Sequence, residues 1–90
     1  MNLAPSPPDE YSDTWDIVGD LRRPGSGWSD DANYACRDAL EQQFPEISFD
    51  PESACFYAHA KTEGDALRLC AVISEWVLVR RLGGDRGATR

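Results

Sequence analysis

Two stripes of apolar residues at helical spacing, with an alternating segment between them, constrain the fold of this chain most strongly. The first stripe repeats at intervals of three and four over residues 32–44 and stops at Pro45, which cannot continue a helix. The second stripe consists of Ala66, Leu69, Cys70, Ile73 and Val77. Ser29 or Asp30 supplies an N-cap for the first helix, and Thr62 supplies one for the second. The sequence therefore predicts two amphipathic helices.

Residues 46–60, between the two helices, alternate between apolar and polar side chains, which predicts a β-hairpin. Asp50 and Pro51 are typical of the first two positions of a turn, so Pro51 and Glu52 are predicted to form the loop. This register places Phe49 opposite Ala54. The predicted core face carries Ile47, Phe49, Ala54, Phe56 and Ala58. The opposite face carries Glu46, Ser48, Cys55, Tyr57 and His59.

A short strand is predicted before the first helix, because residues 14–18 are aromatic and β-branched, with Trp15 and Ile17 two apart. The predicted order is β-α-β-β-α, a small α+β domain whose three-stranded antiparallel sheet carries two helices on one face. Residues 76–81 are also apolar and β-branched, and as a further strand they would give an order similar to that of ferredoxin-like modules. No turn residue separates them from the preceding stripe, which favours a helix to about Leu82.

The length of 90 residues is enough for one domain. Residues 1–13 contain three prolines among acidic and small residues and have little to bury, so they are predicted to form a disordered leader. Residues 83–90 begin with two glycines and are predicted to form a flexible tail. The single folded domain is therefore predicted to span residues 14–82.

The charge balance restricts the partners of the chain. Sixteen acidic residues stand against nine basic ones, for a formal net charge of −7. Nucleic acids and anionic membrane surfaces bind basic patches, so neither is a predicted partner. No apolar run approaches the ~20 residues of a membrane-spanning helix, and the first residues lack the basic start and apolar core of a signal peptide. A cytoplasmic location is predicted.

The cysteine pattern predicts reduced thiols. Cys36, Cys55 and Cys70 are odd in number, fall on different predicted elements and form no C-x-x-C pair, unlike a disulfide framework. His59 is the only histidine, so the short paired ligand spacings of a zinc site are missing. The sequence also contains no complete nucleotide-binding or serine hydrolase motif. No metal and no cofactor are predicted, and a binding role is favoured over an enzyme.

Cys55, Tyr57 and His59 alternate along one predicted strand and therefore point to the same, open side of the sheet. A thiol, a phenol and an imidazole on one face form a candidate surface for a ligand or a partner. Cys55 and His59 would be about 13 Å apart along such a strand, too far for a direct dyad, and no catalytic residue is predicted. The face around Tyr57 and His59 gives the alternative function, a small ligand-binding module or an enzyme.

The end of the last helix is the second candidate surface. Its stripe loses phase after Val77, because Arg80 and Arg81 fall near the apolar centre. Aromatic and arginine side chains are enriched at interfaces. Contact with another chain is predicted for Trp76, Leu78, Val79, Arg80 and Arg81. The predicted function is a small acidic protein-interaction or regulatory domain, an adaptor or inhibitor, whose partner is another protein or a second copy in a weak homodimer.

Overall fold

The computed structural model of this chain describes residues 3–88, with the side chains of residues 3–82. Its elements are β1 (Trp15–Gly19), a 3-10 turn (Gly27–Ser29), α1 (Ala32–Leu40), β2 (Ser48–Phe49), β3 (Phe56–Ala60) and α2 (Glu63–Ala88). The strands form an antiparallel sheet in the order β1-β3-β2. The predicted small α+β domain, with a three-stranded antiparallel sheet and two helices, is confirmed over the described residues.

Both helices share one hydrophobic core with the inner face of the sheet. The sheet contributes Ile17, Phe56, Ala58 and Ala60, all fully buried. The predicted stripe of α2 is buried along its whole length: Ala66, Leu69, Cys70, Ile73 and Val77. The buried apolar residues of α1 are Ala32, Cys36 and Leu40. Buried and half-buried residues alternate along β3, so the other face of the sheet is open to solvent.

The β2–β3 hairpin pairs in a different register from the predicted one, with Phe49 opposite Ala58 rather than Ala54. The two registers differ by an even number of residues. Because side chains alternate with a period of two, the predicted core and open faces are kept. Phe56 and Ala58 are buried as predicted, whereas Ala54 is exposed because it lies in the turn.

Pro51 does not form the turn because pairing continues past it. Glu52 and Cys55 exchange backbone hydrogen bonds of 2.7 and 3.3 Å, which moves the turn to the two residues between them. The N–H groups of Asp50 and Glu52 point toward β3, and directions alternate along a strand, so the nitrogen of Pro51 points away. Since β2 is an edge strand, the missing N–H costs no ladder hydrogen bond.

Residues 76–81 are helical, as the sequence favours, so the further strand of a ferredoxin-like order does not form. The ends of the two helices differ from the prediction. α2 continues to Ala88, beyond its predicted end, and residues 89 and 90 of the predicted tail lie outside the described residues. α1 ends at Leu40, yet Phe44 is buried as predicted because a turn after the helix carries it back to the core.

Residues 3–13 lie along the outer edge of β1. Ser6 and Asp16 exchange backbone hydrogen bonds of 2.8 and 3.0 Å, and Leu3 packs against the core. A methyl group added to Gly19 would come within 2.9 Å of Leu3, so the glycine makes room for this segment. The domain boundary at residue 14 stays a prediction, which the stability of a chain without residues 1–13 would decide.

Asn33 of α1 is a fully buried polar residue that the apolar pattern does not reveal. Its Oδ1 accepts a hydrogen bond from the Leu21 N–H (2.9 Å). Its Nδ2 donates to the Ser53 carbonyl (3.1 Å) and to the Asp20 carboxylate (3.2 Å). One amide therefore ties α1 both to the chain that follows β1 and to the hairpin turn.

We expect Asn33→Ala to lower the free energy of unfolding by about 2–4 kcal/mol, because it leaves a buried N–H and a carbonyl without their partner. Urea denaturation measures the change. Gln42→Ala removes an exposed amide just after α1 and is the control, with an expected change within about 0.5 kcal/mol. An Asn33→Ala chain as stable as the control chain would contradict the role of this amide.

Candidate functional site

Asp16 of β1 and His59 of β3 form a short side-chain contact on the open face of the sheet. The two residues are directly opposite in the β1–β3 pairing. Because the backbone of Asp16 bonds to Ser6, Asp16 and His59 are a non-hydrogen-bonded pair, in which side chains approach more closely. Asp16 Oδ1 and His59 Nδ1 are 2.8 Å apart, and each side chain is about one-third exposed.

Hydroxyl groups extend this contact along the chain before β1. Thr14 donates a hydrogen bond of 2.6 Å to Asp16 Oδ1, and the hydroxyl oxygens of Ser12 and Thr14 are 2.8 Å apart. The hydrogen bond with His59, and after it the one from Thr14, hold the pKa of the Asp16 carboxyl below its ordinary value, since both favour the charged form. The arrangement is a fixed carboxylate that orients an imidazole.

Ser48 of β2 lies on the other side of His59, so a serine, a histidine and an aspartate cross the sheet in one row. These are the residue types of a serine hydrolase. A nucleophilic serine needs its base within about 2.6–3.2 Å, however, and in the described part of the chain no hydrogen bond joins the Ser48 hydroxyl to the His59 ring. The row therefore orients the imidazole without activating the hydroxyl.

The predicted trio on β3 shares the open face but divides into two groups. Cys55, Tyr57 and His59 are all half-buried. The Cys55 thiol raises the pKa of Tyr57, whereas His59 is held by Asp16. A cavity of about 190 Å³ lies elsewhere, between the end of α1 and the start of α2.

Arg80, predicted to face a partner, is instead bound to its own chain. Its guanidinium lies 2.8 Å from Asp31 and 3.4 Å from Asp30, at the start of α1. It also lies over the ring of Trp76, 5.2 Å from the centroid, and Trp76 is half-buried against the core. Trp76 and Arg80 therefore hold α2 against the loop that precedes α1.

Arg81 contributes to the same internal attachment. Its guanidinium donates to the Arg22 carbonyl (3.4 Å), and its own carbonyl accepts from the Arg23 guanidinium (3.1 Å). Past Val77, the inner side of α2 meets this loop instead of the sheet, so arginines replace apolar residues there. Arg80 and Arg81, which interrupt the apolar stripe and so predict an interface, contact this loop of their own chain.

Leu78 and Val79, the other two residues of the predicted interface, are each 59% exposed. Successive residues are about 100° apart around a helix, so these two side chains point in different directions. Leu78 belongs to a row at intervals of four, three, four and four residues, which we call the outer stripe: Leu67, Ala71, Ser74, Leu78 and Leu82. Its leucines are 52%, 59% and 54% exposed. Val79 lies off the outer stripe.

Sequence reasoning missed Leu67 and Leu82, because it assigned the apolar residues of the last helix to a single inner face. The available signal is the spacing, which repeats on a second side of the helix. The polar member, Ser74, donates its hydroxyl to the Cys70 carbonyl (2.9 Å). Because this hydrogen bond lies within α2, the Ser74 hydroxyl keeps its hydrogen-bond partner when another chain covers the outer stripe.

No protein-family model, curated protein or solved structure matches this chain. Among the described residues, no helix combines the length and the apolar character needed to cross a membrane. No cluster of three or more histidine, cysteine or acidic side chains in the same residues is placed to hold a metal ion. Cys36, Cys55 and Cys70 are free thiols, and burial raises the pKa of Cys36 to about 12.

We expect the Asp16–His59 contact to make stability depend on acidic pH. The pKa of Asp16 is lower in the folded chain than its unfolded value of about 3.9, so the stabilisation is present above that pH and is lost as pH falls through the folded-state pKa. Asp16→Asn should therefore be less stable than the native chain at neutral pH, with a difference that shrinks as the pH falls below about 3.9 and through the lowered pKa of Asp16.

Urea denaturation at several pH values measures this difference. Thr14→Val keeps the contact with His59 and removes the weaker cause of the lowered pKa, so it should show a smaller change of the same sign. A stability difference for Asp16→Asn that is constant across the acidic range would contradict the expectation.

Proposed function

We propose that this chain is a small protein-interaction domain that binds a helix of another chain along the outer stripe of α2. The observation that carries the proposal is the row of three leucines, each more than half exposed, on a helix whose buried stripe already fills the core on another side. Single exposed apolar residues are normal on a protein surface. A row of them at helical spacing is typical of a contact face.

The spacing of the outer stripe favours a helix as the partner. Intervals of three and four residues are those at which the side chains of one helix fit between those of another. α2 has 26 residues and is therefore about 39 Å long, and the outer stripe occupies more than four of its turns. A partner helix could lie along all five positions.

The size of the outer stripe indicates a reversible complex. Full burial of a leucine contributes about 1.5–3 kcal/mol, and roughly half of each side chain remains to be covered, so the three leucines contribute about 2–4 kcal/mol. Association costs at least about 4 kcal/mol. The partner must therefore bring an apolar stripe of its own, as regulatory partners do when they bind an amphipathic helix.

The charge of the chain supports an adaptor or inhibitor role. The acidic surfaces that give the net charge of −7 attract a basic partner and speed its association without adding much affinity, whereas the outer stripe itself is flanked by charges of both signs. We place this role in the cytoplasm, which the three free thiols support because such thiols persist in reducing compartments.

Site-specific photo-crosslinking tests this function. We expect a photoreactive residue in place of Leu78 to form an adduct with a discrete protein in the cells that make the chain. The same residue in place of Val79 is the matched control, because that side chain is equally exposed but lies off the outer stripe. Leu67→Glu in the Leu78 chain should abolish the adduct. Equal adducts from both positions, or none from either, would contradict the proposal.

The Asp16–His59 contact favours a second candidate function, the binding of a small ligand on the open sheet face. Asp16 holds His59 at Nδ1, and no hydrogen bond to Nε2 is found within the described residues. Native mass spectrometry of the chain isolated from its own cells should then show a bound small molecule that His59→Gln loses and Cys55→Ser keeps. A chain isolated without any ligand would contradict this second function and leave the first unaffected.

A further inference from the structure

We infer that the partner of the outer stripe is the outer stripe of a second copy of this chain, with the two α2 helices antiparallel and their two-fold axis between residues 72 and 73. This inference rests on the proposed function and identifies its partner. It depends on three features of α2: the order of large and small residues along the stripe, the charges that flank it, and the direction in which the core holds the helix.

The sizes of the stripe residues match in this register. Each Leu67 lies level with Leu78 of the second copy, and each Ala71 lies level with Ser74 of the second copy. The small residues meet at the centre, where they let the two helices approach closely. Leu67 and Leu78 meet on either side and fill the wider space, while Leu82 lies level with Glu63, at the start of the α2 helix of the second copy. Both copies use the same patch, as a two-fold symmetric interface requires.

The flanking charges match in the same register. Arg68 and Glu75 both follow stripe residues and lie on the same side of the stripe, the side away from the core. In the antiparallel pair, Arg68 and Glu75 of the second copy are offset by only about 3 Å along the helix axis. Two equivalent ion pairs would then border the leucines.

Neither charge is committed to a strong contact in the isolated chain. Glu75 is exposed and has no ion pair among the described residues. Arg68 is 64% exposed, lies 3.3 Å from Asp65 in a contact within one helix, and lies over the Phe44 ring, 5.2 Å from its centroid. Exposed contacts of both kinds contribute about 1 kcal/mol or less, so the Arg68 guanidinium can exchange them for Glu75 of the second copy.

A parallel pair does not offer these contacts. In a parallel pair, the Arg68 side of one helix faces the opposite side of the other helix. On that opposite side, Cys70 and Val77 are buried in the core of their own domain. The charges of Arg68 and Glu75 would have no partner, so the structure selects the antiparallel direction.

Disulfide trapping distinguishes the two directions. When Leu67→Cys chains are mixed with Leu78→Cys chains under mild oxidation, we expect a disulfide between position 67 of one chain and position 78 of the other. Both chains also carry Cys55→Ser, which removes the half-buried thiol. In the antiparallel pair, the two copies of position 67 are about 16 Å apart along the axis, beyond the reach of a disulfide, so Leu67→Cys alone should form no disulfide between chains. Val79→Cys mixed with Leu67→Cys is the control and should also form none.

A charge exchange tests the register on chains with an intact stripe. Arg68→Glu should weaken self-association measured by sedimentation across a concentration series, and Arg68→Glu with Glu75→Arg should restore it. Loss without restoration would overturn the proposed ion pairs, because the double variant has the same composition of charges as the native chain.

The outcomes separate this inference from the proposed function. A disulfide formed by Leu67→Cys alone would overturn the antiparallel direction. A native chain that stays monomeric at high concentration, while photo-crosslinking from Leu78 reaches a different protein, would overturn the homodimer and support the proposed function. A monomeric chain without any adduct from Leu78 would overturn both.

Discussion

The buried amide of Asn33 is the contact on which the rest of the structure depends. β2 contributes only two residues to the sheet, so the hairpin needs support beyond its own ladder. Asn33 supplies it by joining the hairpin turn, through Ser53, to the chain after β1, through Leu21. Apolar side chains can pack in several arrangements, whereas a buried polar group with all its hydrogen bonds made allows only one arrangement. α1 is thereby fixed at the end of the sheet where β1 ends and β3 begins.

The position of α1 in turn fixes α2. Asp30 and Asp31 at the start of α1 bind Arg80, and the preceding loop binds Arg81, so the far end of α2 is attached on its inner side. A helix with apolar residues on two sides could rotate about its own axis. The contacts of Arg80 and Arg81, together with the buried inner stripe, oppose that rotation. The outer stripe therefore faces away from the core.

The fold can be predicted from the spacing of apolar residues along the chain, whereas the candidate site cannot. The two helices, the three strands and the core and open faces can be predicted, since they depend on intervals of two and of three to four residues. The hairpin turn is predicted at the wrong place, because Pro51 has turn chemistry but is also tolerated on an edge strand. The contact of Asp16 with His59 joins strands that are distant in sequence, and no local pattern reveals it. Arg80 and Arg81 interrupt the apolar stripe of α2 because they contact the loop before α1. That contact is seen only in the three-dimensional structure.

The charge of the chain and the outer stripe act against each other. Exposed leucines at helical spacing favour association with any matching apolar surface, while like-charged acidic surfaces repel at distances up to a Debye length of about 8–10 Å. A close pairing of stripes is therefore stable only where the local charges are favourable. Around the outer stripe they are nearly balanced, since Arg68 and Glu75 flank it. In the proposed pair, the acidic residues elsewhere oppose contacts in other orientations, so that specificity arises from charge placement and affinity from the leucines.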